Sequence, residues 1–345
     1  IDAVKQHYSK YAPVPGYSSL RNAICEKLKR DNRLEYDPEE ICVSTGAKQA
    51  IANAILTLCD PGDEVILPTP CWVSYEQIVK LAGAVPVFVP CLQDSGFELD
   101  LKGIADAITS RTKAIIICTP NNPTGAVYHE KELKKLAELV VDADLYLISD
   151  EIYEKIIYDG ATHISVASLS EQIRQRSITV NGFSKAYAIP GWRLGYSAAP
   201  REVAAGIRML QGHITSSANT IAQMAGVEAL TGSQDSLFSM RRAYAQRRDY
   251  VMSALEQIPN LRVYKPQGTF YVFPDISAFL GRTFQGTEIR DSSTLATYLL
   301  QEAHVAVVPG EAFRLPGYLR LSYSCSMDDL KKAMVRIQTA LGRLQ

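Results

Sequence analysis

Short β-rich runs alternate with amphipathic helical patterns through the first two-thirds of the chain. The β-rich runs are EEICVST, DEVILPTP, TKAIIICTP, DLYLISD, SITVNGF and WRLGYSAA. In the helical pattern after the first run, Ile51, Ala54 and Ile55 recur at the spacing of one helix face. Because parallel strands need crossover connections, this alternation predicts an α/β fold with a mostly parallel sheet flanked by helices.

The pattern changes in the last third, where β-rich runs follow one another with fewer helices between them. These runs are LRVYKP, GTFYVFPD, HVAVVPG and YLRLSYS. A final helix is predicted to begin at Ser326, which forms a capping box with Asp329. We therefore predict a large domain over residues 1–245 and a smaller α+β domain over residues 246–345.

Charge and composition favour a small-molecule enzyme over a nucleic-acid or membrane protein. The 36 Lys and Arg residues nearly balance the 37 Asp and Glu residues, so no strong field would attract nucleic acid or an anionic membrane. The sequence has neither an apolar run of about 18 residues nor a signal-peptide pattern. Its seven cysteines form no CxxC pair, and an odd number argues against a complete disulfide framework. A reducing cytoplasm is the predicted location.

Several uncommon polar or aromatic residues lie where predicted strands end. In open α/β sheets, ligands bind outside the carboxyl ends of the strands, so these residues are expected to share one cleft. The turn Gly46-Ala47-Lys48 opens a helix and presents backbone N–H groups, which suits a phosphate. Arg193 offers a forked contact to the same phosphate, and Trp72 offers an aromatic face on which a planar ring can stack.

A second group at the strand ends has the chemistry to act on such a ring. Asp150 can pair with a protonated ring nitrogen, and Lys185 can form an imine. Tyr153 and Asn122 can donate to a phenolate oxygen. Each residue alone has a simpler explanation, such as a surface lysine or a turn-forming aspartate. Together they supply each function that pyridoxal phosphate needs, which predicts that cofactor.

The motifs around these residues resemble those of one enzyme family. The segments concerned are YAPVPGYSSLR, STGAKQA, PTPCWVSY, TPNNPTGAVY, SDEIYEKIIYDG, VNGFSKAYAIPGWRLGY and YLRLSYSCS. Over essentially the whole chain they resemble class I aminotransferases of the PLP-dependent transferase fold type I, aspartate aminotransferase subgroup. The resemblance implies a large domain with a mostly parallel seven-stranded sheet flanked by helices, and a smaller α+β domain.

The resemblance also assigns roles to individual residues. It makes Lys185 the Schiff-base lysine and Arg320 the residue that binds the substrate α-carboxylate. Alternation along the last predicted strand supports an inward Arg320, because Leu319 and Leu321 take the opposite face. A buried salt bridge to a carboxylate is the alternative explanation of Arg320. Trp72, Asn122 and Lys48 are expected to contact the substrate as well as the cofactor.

Two departures from the family pattern stand out. The family often carries a phosphate-binding serine three residues before the lysine, and Gly182 stands there; Ser184 is the candidate substitute. The sequence also lacks an N-terminal, glycine-containing substrate lid, so the first part of the small domain is expected to be missing from it.

The implied reaction moves the amino group of an L-amino acid, aspartate as first choice, to 2-oxoglutarate. Lys48 is expected to contact the distal carboxylate of the donor. A homodimer with shared active sites is implied, in which Tyr11 reaches the cofactor phosphate of the neighbouring subunit. Aromatic, alanine, kynurenine or prephenate aminotransferases remain alternatives, as does a β-lyase or decarboxylase on the same fold. A non-catalytic regulatory homologue is the third possibility, although it would be expected to have lost Lys185 or Asp150.

Overall fold

A seven-stranded sheet forms the centre of the computed structural model, which describes residues 1–345. The strands lie in the order β1-β7-β6-β5-β4-β2-β3. Their bounds are β1 Ile41–Ser44, β2 Glu64–Thr69, β3 Val85–Pro90, β4 Thr112–Cys118, β5 Tyr146–Asp150, β6 Ser177–Gly182 and β7 Gly195–Ala198. Only β7 is antiparallel to its neighbours, β1 and β6. The predicted α/β fold with a mostly parallel seven-stranded sheet is confirmed.

Strand β3 was not among the β-rich runs that the sequence analysis singled out. It lies at the edge of the sheet and pairs only with β2. Its run, VPVFVP, contains Pro86 and Pro90, and only Val89 within it is buried. Proline is tolerated at sheet edges because no ladder hydrogen bond is needed on the outer side, which explains both the composition and the weak sequence signal.

Twelve helices surround the sheets, and none of them has the length and apolar character that a membrane crossing requires. Their bounds are α1 Asp2–Lys5, α2 Ser18–Lys27, α3 Ala47–Leu58, α4 Ser74–Leu81, α5 Leu101–Asp106, α6 Glu130–Asp142, α7 Glu171–Arg174, α8 Arg201–Ile214, α9 Thr220–Thr231, α10 Asp235–Glu256, α11 Ser292–Ala303 and α12 Met327–Gly342. Two predicted helix starts are in place: Gly46 directly precedes α3, and Ser326 caps α12 by accepting from the Asp329 amide.

Both faces of the sheet are covered by apolar helix faces, as its parallel strands require. On one face, Ile51 and Ala54 of α3 pack in the same core cluster as Ile148 of β5. On the other, Leu133 and Leu136 of α6 are fully buried in a separate cluster. Complete burial of each such leucine or isoleucine stabilises the fold by roughly 1.5–3 kcal/mol. This packing fixes the sheet, and with it the positions of the strand ends.

The last third of the chain forms smaller sheets. Strands β8 Tyr271–Val272, β11 Val308–Pro309 and β12 Leu319–Ser322 make an antiparallel sheet in the order β11-β12-β8, and β9 Thr283–Phe284 pairs with β10 Thr287–Glu288. The predicted strand LRVYKP is wrong, since it makes only a bridge from Arg262 to Asp275. Beyond it the backbone turns away, and the amides of Gln267 and Gly268 donate to the Gly125 carbonyl instead. The run HVAVVPG pairs only over Val308–Pro309.

The predicted boundary between residues 245 and 246 falls inside α10, a continuous helix of 22 residues. Residues on the C-terminal half of this helix, including Val251 and Leu255, pack in the same cluster as Ile337 of α12. The division into two domains stays a prediction.

Candidate active site

The carboxyl ends of β1, β2, β4, β5 and β6 meet at one edge of the sheet, where a cavity of about 390 Å³ opens. Ten of the residues singled out in the sequence line this cavity: Ala47, Lys48, Trp72, Asn122, Asp150, Tyr153, Ser184, Lys185, Arg193 and Arg320. The strand register therefore brings together side chains that are far apart in the sequence, as the position of ligand sites in α/β sheets predicts. Their individual roles stay predictions.

The turn before α3 is built on close backbone packing. Gly46 has φ +83°, and a Cβ there would lie 2.5 Å from Nη2 of Arg193. A Cβ on Gly195 of β7 would lie 2.3 Å from the amide nitrogen of Ala47. Glycine at both positions thus lets the helix N-terminus, β7 and a guanidinium come together. Arg193 has no carboxylate partner; its Nη1 donates to the Pro190 carbonyl at 3.1 Å. A helix N-terminus beside a cation without a counter-ion suits an anion.

Close packing also explains the departure at Gly182. A Cβ on this residue would lie 2.9 Å from the Leu194 carbonyl oxygen and 2.9 Å from Cα of Gly195. A serine could not fit there without moving β7. Ser184, by contrast, lines the cavity.

Asp150 lies at the bottom of the cavity with its carboxylate held from two sides. The Tyr75 hydroxyl donates to Oδ2 at 2.7 Å, and the Ile152 amide donates to Oδ1 at 3.2 Å. Burial raises the pKa of Asp150 to about 6, and the Tyr75 hydrogen bond opposes that shift. The Trp72 ring packs edge-on against Tyr75, with centroids 5.4 Å apart. Tyr75 therefore positions both the buried carboxylate and the aromatic face above it.

Arg320 extends into the cavity between two aromatic rings. Its Cζ lies 4.3 Å from the Tyr271 centroid and 4.8 Å from the Phe313 centroid. Its Nη1 donates to Oδ1 of Asn122 at 3.0 Å, and Nε is buried without a partner. The alternative explanation, a buried salt bridge, is wrong, because no carboxylate lies within 4.0 Å of this guanidinium. The aromatic rings and one amide orient the cation and leave part of it free for an anion.

Lys185 reaches the same cavity from the end of β6. Its Nζ lies 5.4 Å from the Phe270 ring centroid and 5.7 Å from that of Tyr153. Burial lowers the pKa of Lys185, the Arg320 cation lowers it further, and Asp150 partly opposes the shift. Lys48 is different, because it is exposed and places Nζ 4.9 Å from the Trp72 ring centroid at the mouth of the cavity.

For three tyrosines the lining of the cavity differs from the set of site residues predicted from the sequence. Tyr11 is 94% exposed and lies outside the cavity of its own chain. Tyr75 and Tyr271 line the cavity, although the sequence analysis missed both. Tyr75 follows Trp72 by three residues at the start of a helix, a spacing that could have indicated it. Tyr271 carries no comparable local signal, because it is one of several aromatics in an apolar run.

A family model described as "Aminotransferase class I and II" matches residues 2–337. The chain belongs to that family. It is 45% identical over 346 residues to the probable aspartate/prephenate aminotransferase of Aquifex aeolicus (strain VF5), covering 100% of this chain and 86% of that protein.

Solved structures of other family members have the same fold. The aspartate aminotransferase from Rhizobium meliloti superposes with a TM-score of 0.97 at 41% identity, covering 100% of this chain and 86% of that one. The aromatic aminotransferase from Pyrococcus horikoshii OT3 superposes with a TM-score of 0.93 at 40% identity, covering 99% of this chain and 90% of that one. Family membership thus makes this chain an aminotransferase, while its relatives differ in the substrates that their names give.

The buried Asp150 of this aminotransferase makes a pH-dependent contribution to stability. In an unfolded chain an aspartate has a pKa of about 3.9, whereas burial raises that of Asp150 to about 6. Between these values the folded state holds a proton that the unfolded state lacks. The free energy of unfolding therefore falls as pH rises through this window, and the loss is complete above pH 6.

We predict that Asp150→Asn stabilises the cofactor-free protein at pH 7.5 by roughly 2–3 kcal/mol, because the neutral amide removes the cost of a buried charge. At pH 5 the gain should be about half as large. Chemical denaturation at the two pH values measures both. Asp142→Asn, at an exposed position on α6, is the matched control and should stay within about 0.5 kcal/mol of the parent. An equal gain in stability at both pH values would contradict a raised pKa at Asp150.

Proposed function

We propose that this aminotransferase uses pyridoxal phosphate and moves the amino group of aspartate to 2-oxoglutarate. The observation that carries the proposal is the partner-free face of Arg320 in the same cavity as Lys185 and Asp150. The Arg320 guanidinium is oriented for a carboxylate, the buried Lys185 amine has a lowered pKa, and the buried Asp150 carboxylate lines the same cavity. An amino acid that reacts at its Cα next to a cofactor ring needs all three groups.

The cavity suits pyridoxal phosphate from end to end. Gly46, Ala47 and Arg193 would hold the phosphate, with the Ser184 hydroxyl as a further donor. Trp72 would cover one face of the ring. Asp150, on the cavity floor, would accept from the protonated ring nitrogen, and its raised pKa is still low enough for a carboxylate at neutral pH. Tyr153 and Asn122 would donate to the ring oxygen.

The protein side chains then divide the work of amino transfer. When bound, pyridoxal phosphate supplies an electrophilic carbon for amine exchange and a ring that takes up the electron pair released at the substrate Cα. Arg320 binds the α-carboxylate and so orients the Cα–H bond. Lys185, which burial favours in its neutral form, accepts the Cα proton and returns it one step later. Tyr153 keeps its proton, because burial raises its pKa well above the usual value, and it remains a donor throughout.

We predict that borohydride treatment of the cofactor-loaded protein attaches a pyridoxyl group to Lys185, identified by peptide mass mapping. Lys185→Ala should lower turnover at least about 10⁴-fold, since it removes both the amine that binds the cofactor and the proton carrier. Its melting temperature without cofactor should be at or above that of the parent, because a desolvated amine is removed. Lys113→Ala, on β4 and exposed, is the control. Attachment to a lysine other than Lys185 would show that the site is assigned wrongly.

Lys48 is proposed to select acidic donors. Its ammonium lies at the mouth of the cavity near Trp72, and no carboxylate of this chain pairs with it. A backbone turn needs no side chain to bind phosphate, so the ammonium is free to meet the distal carboxylate of aspartate or glutamate. Lysine serves there as a flexible point charge.

We expect Lys48→Ala to lower kcat/KM for aspartate by about one to two orders of magnitude, the loss typical of a charge-assisted contact. Activity with alanine or phenylalanine should change much less, because these donors have no distal carboxylate. Lys48→Met keeps the stem and serves as a second variant without the charge. Steady-state assays with 2-oxoglutarate as acceptor compare the donors. Equal losses for acidic and apolar donors would mean that Lys48 serves the cofactor alone.

The same assay separates the remaining alternatives. An aromatic, alanine, kynurenine or prephenate aminotransferase would prefer its own donor or acceptor over aspartate. A β-lyase would release pyruvate and ammonia without forming glutamate. A non-catalytic homologue would show no turnover at all, although the presence of Lys185 and Asp150 in one cavity favours an enzyme. The cytoplasmic location stays a prediction.

We propose further that the active form is a homodimer in which Tyr11 reaches the phosphate site of the partner. The Tyr11 ring is 94% exposed in the single chain. Its segment is tied to α8, because Nε2 of Gln211 donates to the Val14 carbonyl at 2.8 Å. The same helix exposes Met209 and Ile214, at 68% and 54%. Large apolar side chains left this exposed in the single chain support a surface that a partner covers.

Sedimentation velocity should therefore give the mass of a dimer at assay concentrations. Tyr11→Phe should keep the dimer and weaken cofactor binding by about 10- to 100-fold, the effect of one hydrogen bond to a charged group. Met209→Lys together with Ile214→Lys should shift the protein toward monomer and lower its activity. A fully active monomer would contradict the shared site.

A further inference from the structure

Tyr271 connects two parts of the active site that no sequence motif links. It lies on β8 opposite Ser322 of β12. Alternate side chains on a strand share a face, so Arg320, two residues before Ser322, is the diagonal neighbour of Tyr271. The guanidinium Cζ of Arg320 accordingly lies 4.3 Å from the centroid of the Tyr271 ring. The ring forms the surface on which the cation rests.

The hydroxyl of the same residue contacts a different part of the site. It lies 3.1 Å from the Tyr153 hydroxyl, which is its one hydrogen-bond partner in the protein. Both side chains are buried, at 7% and 3% exposure. Burial is the larger cause and the neighbouring Tyr271 phenol the second cause that raise the pKa of Tyr153 well above its usual value. Tyr153 therefore stays protonated. When Tyr153 donates its proton into the cavity, the Tyr271 hydroxyl must donate to the Tyr153 oxygen, because it has no other acceptor.

We propose that Tyr271 is a positioning residue with two separable functions. Its ring holds Arg320 in place for the substrate α-carboxylate, and its hydroxyl directs the Tyr153 proton toward the ring oxygen of the cofactor. The proposal rests on the proposed function, since it assumes that a carboxylate and a cofactor ring occupy the cavity. It links the end of the site that recognises the substrate to the end that holds the cofactor.

The hydroxyl is the part that simple packing does not explain. A buried hydroxyl costs free energy unless it is hydrogen-bonded, and a phenylalanine would fill the same space without that cost. Its neighbour Phe270 is a plain aromatic at the same depth. Yet the only group that the Tyr271 hydroxyl meets is Tyr153, a predicted cofactor contact that also lines the cavity. This pairing points to a function in the site.

Two variants separate the functions. Tyr271→Phe keeps the ring and removes the hydroxyl, whereas Tyr271→Leu removes both. The first measurement is the pH dependence of the visible absorbance of the cofactor-loaded protein. The second is the dissociation constant for maleate, a four-carbon dicarboxylate that tests the Arg320 end without turnover. Tyr318→Phe is the matched control, because Tyr318 lies in the same part of the fold and outside the cavity.

For Tyr271→Phe we expect the apparent pKa of the absorbance change to rise by about 0.5 unit or more, because Tyr153 becomes a weaker donor to the anionic ring oxygen. Its maleate affinity should stay within about threefold of the parent, since the ring under Arg320 remains. Tyr271→Leu should show a similar absorbance shift and lose maleate affinity by about 5- to 30-fold, the effect of a desolvated cation–π contact. Tyr318→Phe should match the parent in both measurements.

A double variant tests whether the hydroxyl acts through Tyr153. In a Tyr153→Phe background, Tyr271→Phe should add no further absorbance shift. A further shift there, or no shift from Tyr271→Phe alone, would overturn the hydroxyl function. Equal losses of maleate affinity in Tyr271→Phe and Tyr271→Leu would overturn the ring function. The test of the hydroxyl function needs only Tyr271→Phe, so it holds even if Tyr271→Leu fails to fold. A parent protein that binds no maleate and transfers no amino group would instead refute the proposed function, which keeps the two failures distinct.

Discussion

Burial of ionisable groups without full counter-ions is the constraint on which this active site depends. Loss of solvent is the first cause of the pKa shift at Asp150, Lys185 and Arg320 alike. A buried charge is costly unless it is paired, and here the pairing within the protein is incomplete. Asp150 has two donors, while Arg320 has one amide oxygen and two aromatic rings. The missing partners are a cation beside Asp150 and an anion beside Arg320, which a protonated cofactor ring and a substrate carboxylate would supply.

Such a site needs a rigid support, and buried contacts outside the cavity supply it to the segment 150–154. Asp150 and Tyr153 line the cavity, whereas Glu151 and Glu154 are buried outside it. Glu154 pairs with buried Lys27; burial alone would raise its pKa, but Lys27 and neighbouring cations lower it to about 2. Glu151 accepts from the Ser165 hydroxyl at 2.5 Å and lies 3.0 Å from Nε2 of His163. Removing one partner of a buried ion pair typically costs about 3–5 kcal/mol, so this turn has little freedom to move.

The sequence by itself determined the parts of this protein that follow from local period and turn chemistry. Alternating β-rich and amphipathic runs gave the α/β architecture, and the Leu133 and Leu136 stripe gave the buried face of α6. The strand-end positions of Asp150 and Lys185 indicated one cleft, because parallel strands all end at the same edge of a sheet. Each of these inferences uses residues close together in the chain, or a geometric rule that holds for every sheet of this type.

Only the tertiary structure decided which side chains meet across the cavity. The partner of Arg320 is Asn122, 198 residues away, where sequence patterning left a buried carboxylate pair as an alternative. Neither Tyr75 nor Tyr271 is identified as a site residue from the sequence, yet Tyr75 donates to Asp150 and Tyr271 contacts Tyr153. The strands of the last third likewise depend on where the backbone finds hydrogen-bond partners. The apolar runs there therefore predicted longer and more numerous strands than the structure has. Contacts between distant segments are set by the packing of whole elements, and no local period in the sequence encodes them.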